Sequence, residues 1–240
     1  DASVSRDPDA PLHLVLTAAD IRKDQLALDA MQLDIHGSQS QHDVHLQASG
    51  QIANRPASLT ADLSGALQPE WHWHGMLKQL ESTAPDRLKL IEPLAIQLAP
   101  GEFLAKNGVL ALDRGQIRLD ALNWQHGGLE TRGQLRELSV DQLLKLAGRE
   151  DFASDLVFDG LWDLQWHGVL DGHASLTRSG GSSIWRAKGP REPMAITDAT
   201  ARLRAHRNWI ELDGLVKSSR FGTVEFSGRR FDEDSDSAEE

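Results

Sequence analysis

The chain has 240 residues, enough for one large or two ordinary domains and a sizeable core, and carries a formal net charge of -11. Six of its acidic groups sit in the last nine residues, DEDSDSAEE, so the body is only mildly acidic; it lacks the basic stripe that a nucleic-acid backbone demands, and no nucleic-acid partner is expected. With no cysteine there is no disulfide or thiolate chemistry, and with no Tyr and 5% aromatics the apolar supply is mostly Leu, Ala, Ile and Val.

Residues 1–11, DASVSRDPDAP, read as a flexible segment with neither the basic nor the apolar stretch of a signal peptide. Nothing along the chain reaches the ~18 apolar residues that span a bilayer, so an export or anchoring signal is expected to lie outside it. From Leu12 onward the pattern has period two, the mark of strands with one apolar face. Leu12, Leu14 and Leu16 alternate with His13 and Val15. Leu26, Leu28 and Ala30 then give way to Met31, Leu33 and Ile35, a slip of one position that predicts a bulge. Val44, Leu46 and Ala48 follow, then Ala57, Leu59, Ala61 and Leu63.

The stretch MLKQLES, 76–82, admits a turn of helix. Ile117, Leu119 and Ala121 slip to Leu122 and Trp124, a second predicted bulge. SVDQLLKLAG, 139–148, is the one segment with helical character: Ser139 and Gln142 have capping-box spacing, Val140, Leu143, Leu144 and Leu146 form a stripe, and Gly148 fits a stop. Beyond it LWDLQWHGVL places Trp162, Leu164 and Trp166 on one face. Ala199 to Ala205, Asn208 to Val216 and Gly222 to Gly228 repeat the alternation.

Turn residues at 36–38, 53–56, 106–108, 113–115, 126–128, 171–172 and 207–208 are spaced too closely for parallel crossovers, which need a dozen or more residues, so the strands are antiparallel. The fold class is all-β with one short helix near 139–147. Two strand-rich units are expected, 12–138 and 151–228, joined by a helical connector at 139–150 and followed by a disordered acidic tail at 229–240. WHWHGML at 71–77 and the WDLQWHG of 162–168 hint at an internal duplication.

No catalytic constellation emerges. His72 and His74 share a strand face, but no third ligand accompanies them, and solvated strand histidines account for the spacing. No GxSxG elbow, Walker loop or dinucleotide fingerprint is present, and RSGGSS, 178–183, reads as a plain turn. Asp155, Asp159 and Asp163 read as surface charge. No enzyme activity, metal or cofactor is expected. Stacking of sugars on the tryptophans is the carbohydrate-binding alternative, which needs a closed β-sandwich.

The apolar faces must be covered by something. Either two sheets bury them against each other, or a curved sheet forms a trough whose lining meets a non-protein partner. The runs GQIRLDALNWQHGGLETRGQLRELSVDQLLKLAG (115–148), LWDLQWHGVLDGHASLTRSGGSSIWR (161–186) and ITDATARLRAHRNWIELDGLVKSSRFGTVEFSG (196–228) resemble the TamB family, within the wider AsmA-like proteins of Gram-negative envelopes.

The resemblance implies an elongated, mostly antiparallel curved β-sheet, taco- or groove-like, with an apolar interior. It implies a periplasmic segment of a much longer parent anchored in the inner membrane, with this chain a middle fragment. It implies conduction of phospholipid between the membranes and support of outer-membrane biogenesis. A trough for outer-membrane protein assembly with a TamA-type outer-membrane partner, bound through other parts of the parent, is the alternative. Phospholipid acyl chains would then lie on the apolar phase: Leu59 and Leu63; Ile117 and Leu119; Trp162, Leu164 and Trp166; Leu203, Ile210 and Leu212; and Val224 and Phe226.

Overall fold

The structure is a computed structural model that describes residues 7–23, 26–52, 55–83, 87–146, 149, 151–186, 188, 194–207 and 209–231. Gly148 and residues 232–240 of the expected acidic tail lie outside the described residues. Contacts divide the chain into two compact units, Asp1–Asp113 and Arg114–Glu240. The sequence reading places its division at the helix instead; here the helix belongs within the second unit, packed on that unit's own strands.

The first unit contains β1 (Leu12–Lys23), β2 (Leu26–Gly37), β3 (His42–Ile52), β4 (Arg55–Gln68), β5 (His72–Ser82), β6 (Leu88–Glu92), β7 (Leu94–Ala99) and β8 (Glu102–Leu112). Its strands pair antiparallel in chain order from β1 to β5. The lane between β5 and β8 is shared by β6 and β7, interrupted at Pro93, whose missing N–H cannot serve a central ladder.

The second unit contains β9 (Gln116–Gln125), β10 (Gly128–Ser139), α1 (Val140–Leu146), β11 (Phe152–Ser154), β12 (Val157–Trp166), β13 (Leu170–Gly180), β14 (Ile184–Arg186), β15 (Ile196–His206), β16 (Trp209–Ser218) and β17 (Gly222–Phe231). The main sheet runs β9-β10-β12-β13-β15-β16-β17, all antiparallel, while β11 and β14 form a separate ribbon. Among the described residues the first strand of neither unit pairs with its last, so these are open sheets and not barrels.

Both parity slips in the sequence are bulges. The register of β2 on β3 shifts between Leu28 and Ala30, and that of β9 on β10 shifts at Asp120, between Leu119 and Ala121. An extra residue inverts the side-chain alternation, so Leu26 and Leu28 stay on the same face as Met31 and Leu33. A third bulge explains a misreading. MLKQLES is part of β5, not a helix turn: the register on β4 skips Lys78, which puts Leu77 and Leu80 on one face of a strand at a spacing that imitates a helix.

Two expected turns are also strand. Residues 106–108 bend β8 at Asn107, whose φ is 62°, and 171–172 lie inside β13, where Gly172 has a φ of 116°; the hairpin turns fall at Gly101 and Gly168 instead. Gln142 does not complete a capping box. With its amide oriented to satisfy both atoms, it donates to Arg114 O at 2.7 Å and accepts from Arg114 N–H at 3.1 Å.

Two tryptophans lie across strand glycines. A Cβ built on Gly133 would stand 2.4 Å from the Trp162 ring and 2.3 Å from the Arg118 carbonyl, and Trp73 covers Gly65 and Gly75 in the same way. Aromatic cover of a strand glycine restores packing that the missing side chain forfeits. The shared WHG triplet is a coincidence of wording, since Trp73 opens β5 whereas Trp166 ends β12. Gly133→Ala is expected to lower stability by about 1–3 kcal/mol by displacing Trp162, read as a fall in the urea midpoint at constant slope.

Candidate functional site

Cross-strand register shows which side chains share a face. In the first unit one row runs Leu14–Ile35–Val44–Leu63–Leu77 and the next Leu16–Leu33–Leu46–Ala61–Leu80. A third, Ala18–Met31–Ala48–Leu59–Ser82–Leu88, completes a surface with no charged group. Its two ends differ. Around β4 to β8 it closes into a core of Ala61, Leu77, Leu90 and Ile96, packed by Leu63, Trp73 and Phe103. Toward β1 it stays open: Leu14 is 38% exposed where Leu77, in the same row, is 8% exposed.

Leu59 lines a hollow of about 230 Å3 with Leu26, Leu28, Ile52 and Ala57, floored by Gly50. A larger hollow of about 650 Å3 follows the bulge region, where Thr17, Gln32, Gln47 and Thr60 of the opposite, polar face contribute to its lining.

In the second unit the rows are Ile117–Leu135–Gly160–Leu176–Ala201–Gly214–Phe226 and Leu119–Gly133–Trp162–Ala174–Leu203–Leu212–Gly228. Beside them lie Leu122–Thr131–Leu164–Gly172–Ala205–Ile210–Arg230 and Trp124–Leu129–Trp166–Leu170. Val224 stands opposite Val216, which faces Ala199. All ten residues singled out in this unit therefore share one face, and Leu59 and Leu63 share the corresponding face of the first.

That face is open to solvent over much of its area. Leu212, Val224 and Phe226 are all more than two-fifths exposed, as are Trp124 and Trp166. Thr131 is its one hydroxyl on β10, and it accepts a hydrogen bond from the Trp162 indole at 3.0 Å. The acyl-chain positions expected from the sequence omit Leu33, Leu135 and Leu176, which lie in the same rows.

The opposite faces are polar. In the second unit Arg132–Asp163–His173–Arg204–Glu211–Arg229 form a cross-strand ladder. Arg204 bonds Asp213 of the adjacent row at 3.0 Å and Arg229 bonds Glu211 at 2.9 Å, while the Arg229 guanidinium also lies 5.0 Å from the Trp209 ring centre. In the first unit the polar face carries His13, His36 and His45 among Asp34, Asp43 and Asp62, with His45 hydrogen-bonded to Asp62. His72, half of the pair considered for metal, bonds the Pro69 carbonyl at 3.1 Å through Nδ1. Opposite charges set side by side across strands support pairing by a few tenths of a kcal/mol each, roughly.

The buried cluster of the second unit sits where α1 and β14 meet the main sheet. Leu156, Ile196 and Ala199 are buried with Val140, Phe158, Ile184 and Val216 around them. Asp155 accepts from the backbone N–H groups of Ser182 and Ser183 at 2.8 and 2.7 Å, which makes RSGGSS a clasp and not a plain turn. Beside it the Arg149 guanidinium donates to Asp151 and holds that carboxyl below its ordinary range.

Among the described residues no helix is long and apolar enough to cross a membrane. No curated protein and no solved structure matches the chain. The profile described as TamB, N-terminal domain, matches residues 1–232. With nearly the whole chain covered, and an open antiparallel sheet apolar on one side, this protein belongs to the TamB family.

Proposed function

We propose that the chain is a lipid-conducting segment of a periplasmic β-trough, acting by binding and without catalysis. The observation that supports this best is the exposed apolar face: row after row of Leu, Ile, Val, Ala and Trp without a covering sheet among the described residues. A monomer rarely leaves contiguous apolar surface in water without a use for it. Acyl chains laid on it gain about 0.8 kcal/mol per buried methylene, while the charged ladder behind keeps the outer surface wet. Family membership supports anchoring of the parent protein in the inner membrane and delivery toward the outer membrane.

The test is native mass spectrometry of the purified chain, followed by organic extraction. Phospholipid is expected to leave with the protein, and a lipid-free chain that takes up none when offered it would end this reading.

One observation favours a second reading. Every residue of β17 is exposed, and among the described residues no strand pairs its outer edge. Such an edge accepts an added strand, as a trough assisting outer-membrane protein assembly with a TamA-type partner would require. Peptide in place of lipid in the extract would select it.

A further inference from the structure

Resting on the lipid reading, we infer that the apolar face of the second unit holds its lipid in one orientation along the strands, with the acyl ends toward the α1–β11–β14 insert and the ester end at Trp124 and Trp166. The two ends of these strands are built differently. At one, the insert roofs the face: Val140 of α1 and Ile184 of β14 pack with Phe158, Ala199 and Val216 of the main sheet around Leu156, which is 3% exposed. Its attachment is a chain of hydrogen bonds. Asp155 clasps Ser182 and Ser183, Ser154 Oγ donates to the Ser183 carbonyl at 2.9 Å, and Met194 N–H donates to Ser183 Oγ at 3.2 Å. Ser218 Oγ, at the end of β16, then donates to the Met194 carbonyl at 2.6 Å.

The other end is open and chemically different. Trp124 and Trp166 flank Leu129 in one row, each 46% exposed, and among the described residues neither indole N–H has a hydrogen-bond partner. Indole donates and does not accept, and a tryptophan settles where one end is apolar and the other wet. Ester carbonyls and phosphate oxygens accept and do not donate, so they complement this rim. The far end presents apolar packing, which suits the acyl end of an amphiphile and not its polar end. From Trp166 to Phe158 the strand covers about 26 Å at 3.3 Å per residue, more than the roughly 15 Å that one leaflet of a ~30 Å hydrocarbon core occupies. An acyl chain therefore fits between rim and insert.

Because the chain has no cysteine, Ile210→Cys near the rim and Val224→Cys near the insert each take a single bimane label. The whole chain is loaded from phosphatidylcholine vesicles brominated either next to the ester or next to the terminal methyl. The ester-side bromines are expected to quench more strongly at position 210 and the methyl-side bromines more strongly at 224. Equal or reversed preferences would overturn the orientation while leaving lipid binding intact. Absence of quenching at both positions would overturn the lipid reading and the orientation with it. Asp155→Ala, which opens the clasp, is expected to narrow the difference between the two positions; an unchanged difference with the clasp opened would overturn the insert as its cause.

Discussion

Lipid retention is expected to be lost in the double variant Leu203→Asp/Leu212→Asp, while the strand signal in circular dichroism stays at the parent level. The two leucines are directly opposed on β15 and β16, in the row that also holds Trp162 and Ala174. Directly paired side chains stand about 5 Å apart at Cβ, so two carboxylates would place charge in the middle of the apolar surface. Each acyl chain would then have to desolvate a carboxylate, at several kcal/mol by any estimate, which outweighs the gain from a handful of methylenes. Leu212 is 44% exposed and Leu203 is half-buried, so water reaches both positions in the lipid-free chain. Thr223→Asp on the opposite face of β17 serves as the control and should retain lipid. Lipid counted per chain after extraction decides the matter: retention in the double variant would show that this face does not carry lipid, and collapse of the strand signal would show that it serves as a core.

Stability is expected to depend on a different set of residues. Leu156→Ala should cost about 2–5 kcal/mol, the range for a leucine truncated inside a packed core, because Leu156 is buried among Ile196, Ala199, Phe158 and Ile184. Leu212→Ala, by contrast, removes side chain that water already reaches and should cost under about 1 kcal/mol. Urea titration of the two variants measures the contrast. Similar losses at both positions would mean that the exposed face is held as firmly as the insert, against an open trough.

Much of the sheet was legible because strand parity is a local property. Register slips at Leu28–Ala30 and Leu119–Ala121 appear in the sequence as an apolar set changing phase, and each is a bulge that restores the face. The same physics misled at 76–82, where a bulge at Lys78 produced a spacing of three between Leu77 and Leu80. Turn composition was a weaker guide. Asn107 and Gly172 adopt positive φ inside strands, since a bend within a strand uses the same residues as a turn between two.

Alternation along single strands thus determined the all-β antiparallel class, and it determined which residues share a face, from Leu59 and Leu63 to Val224 and Phe226. Parity needs only neighbouring residues and the pleat. Tertiary structure alone decided whether that face is covered, because coverage depends on how far the sheet closes and on what packs over it. It closes over Leu77 and Ile96 but leaves Leu14, Leu212 and Phe226 in water. Tertiary structure alone also decided the role of Asp155 and the serines of 182–183: their hydrogen bonds join segments nearly thirty residues apart, and no local spacing records such a contact.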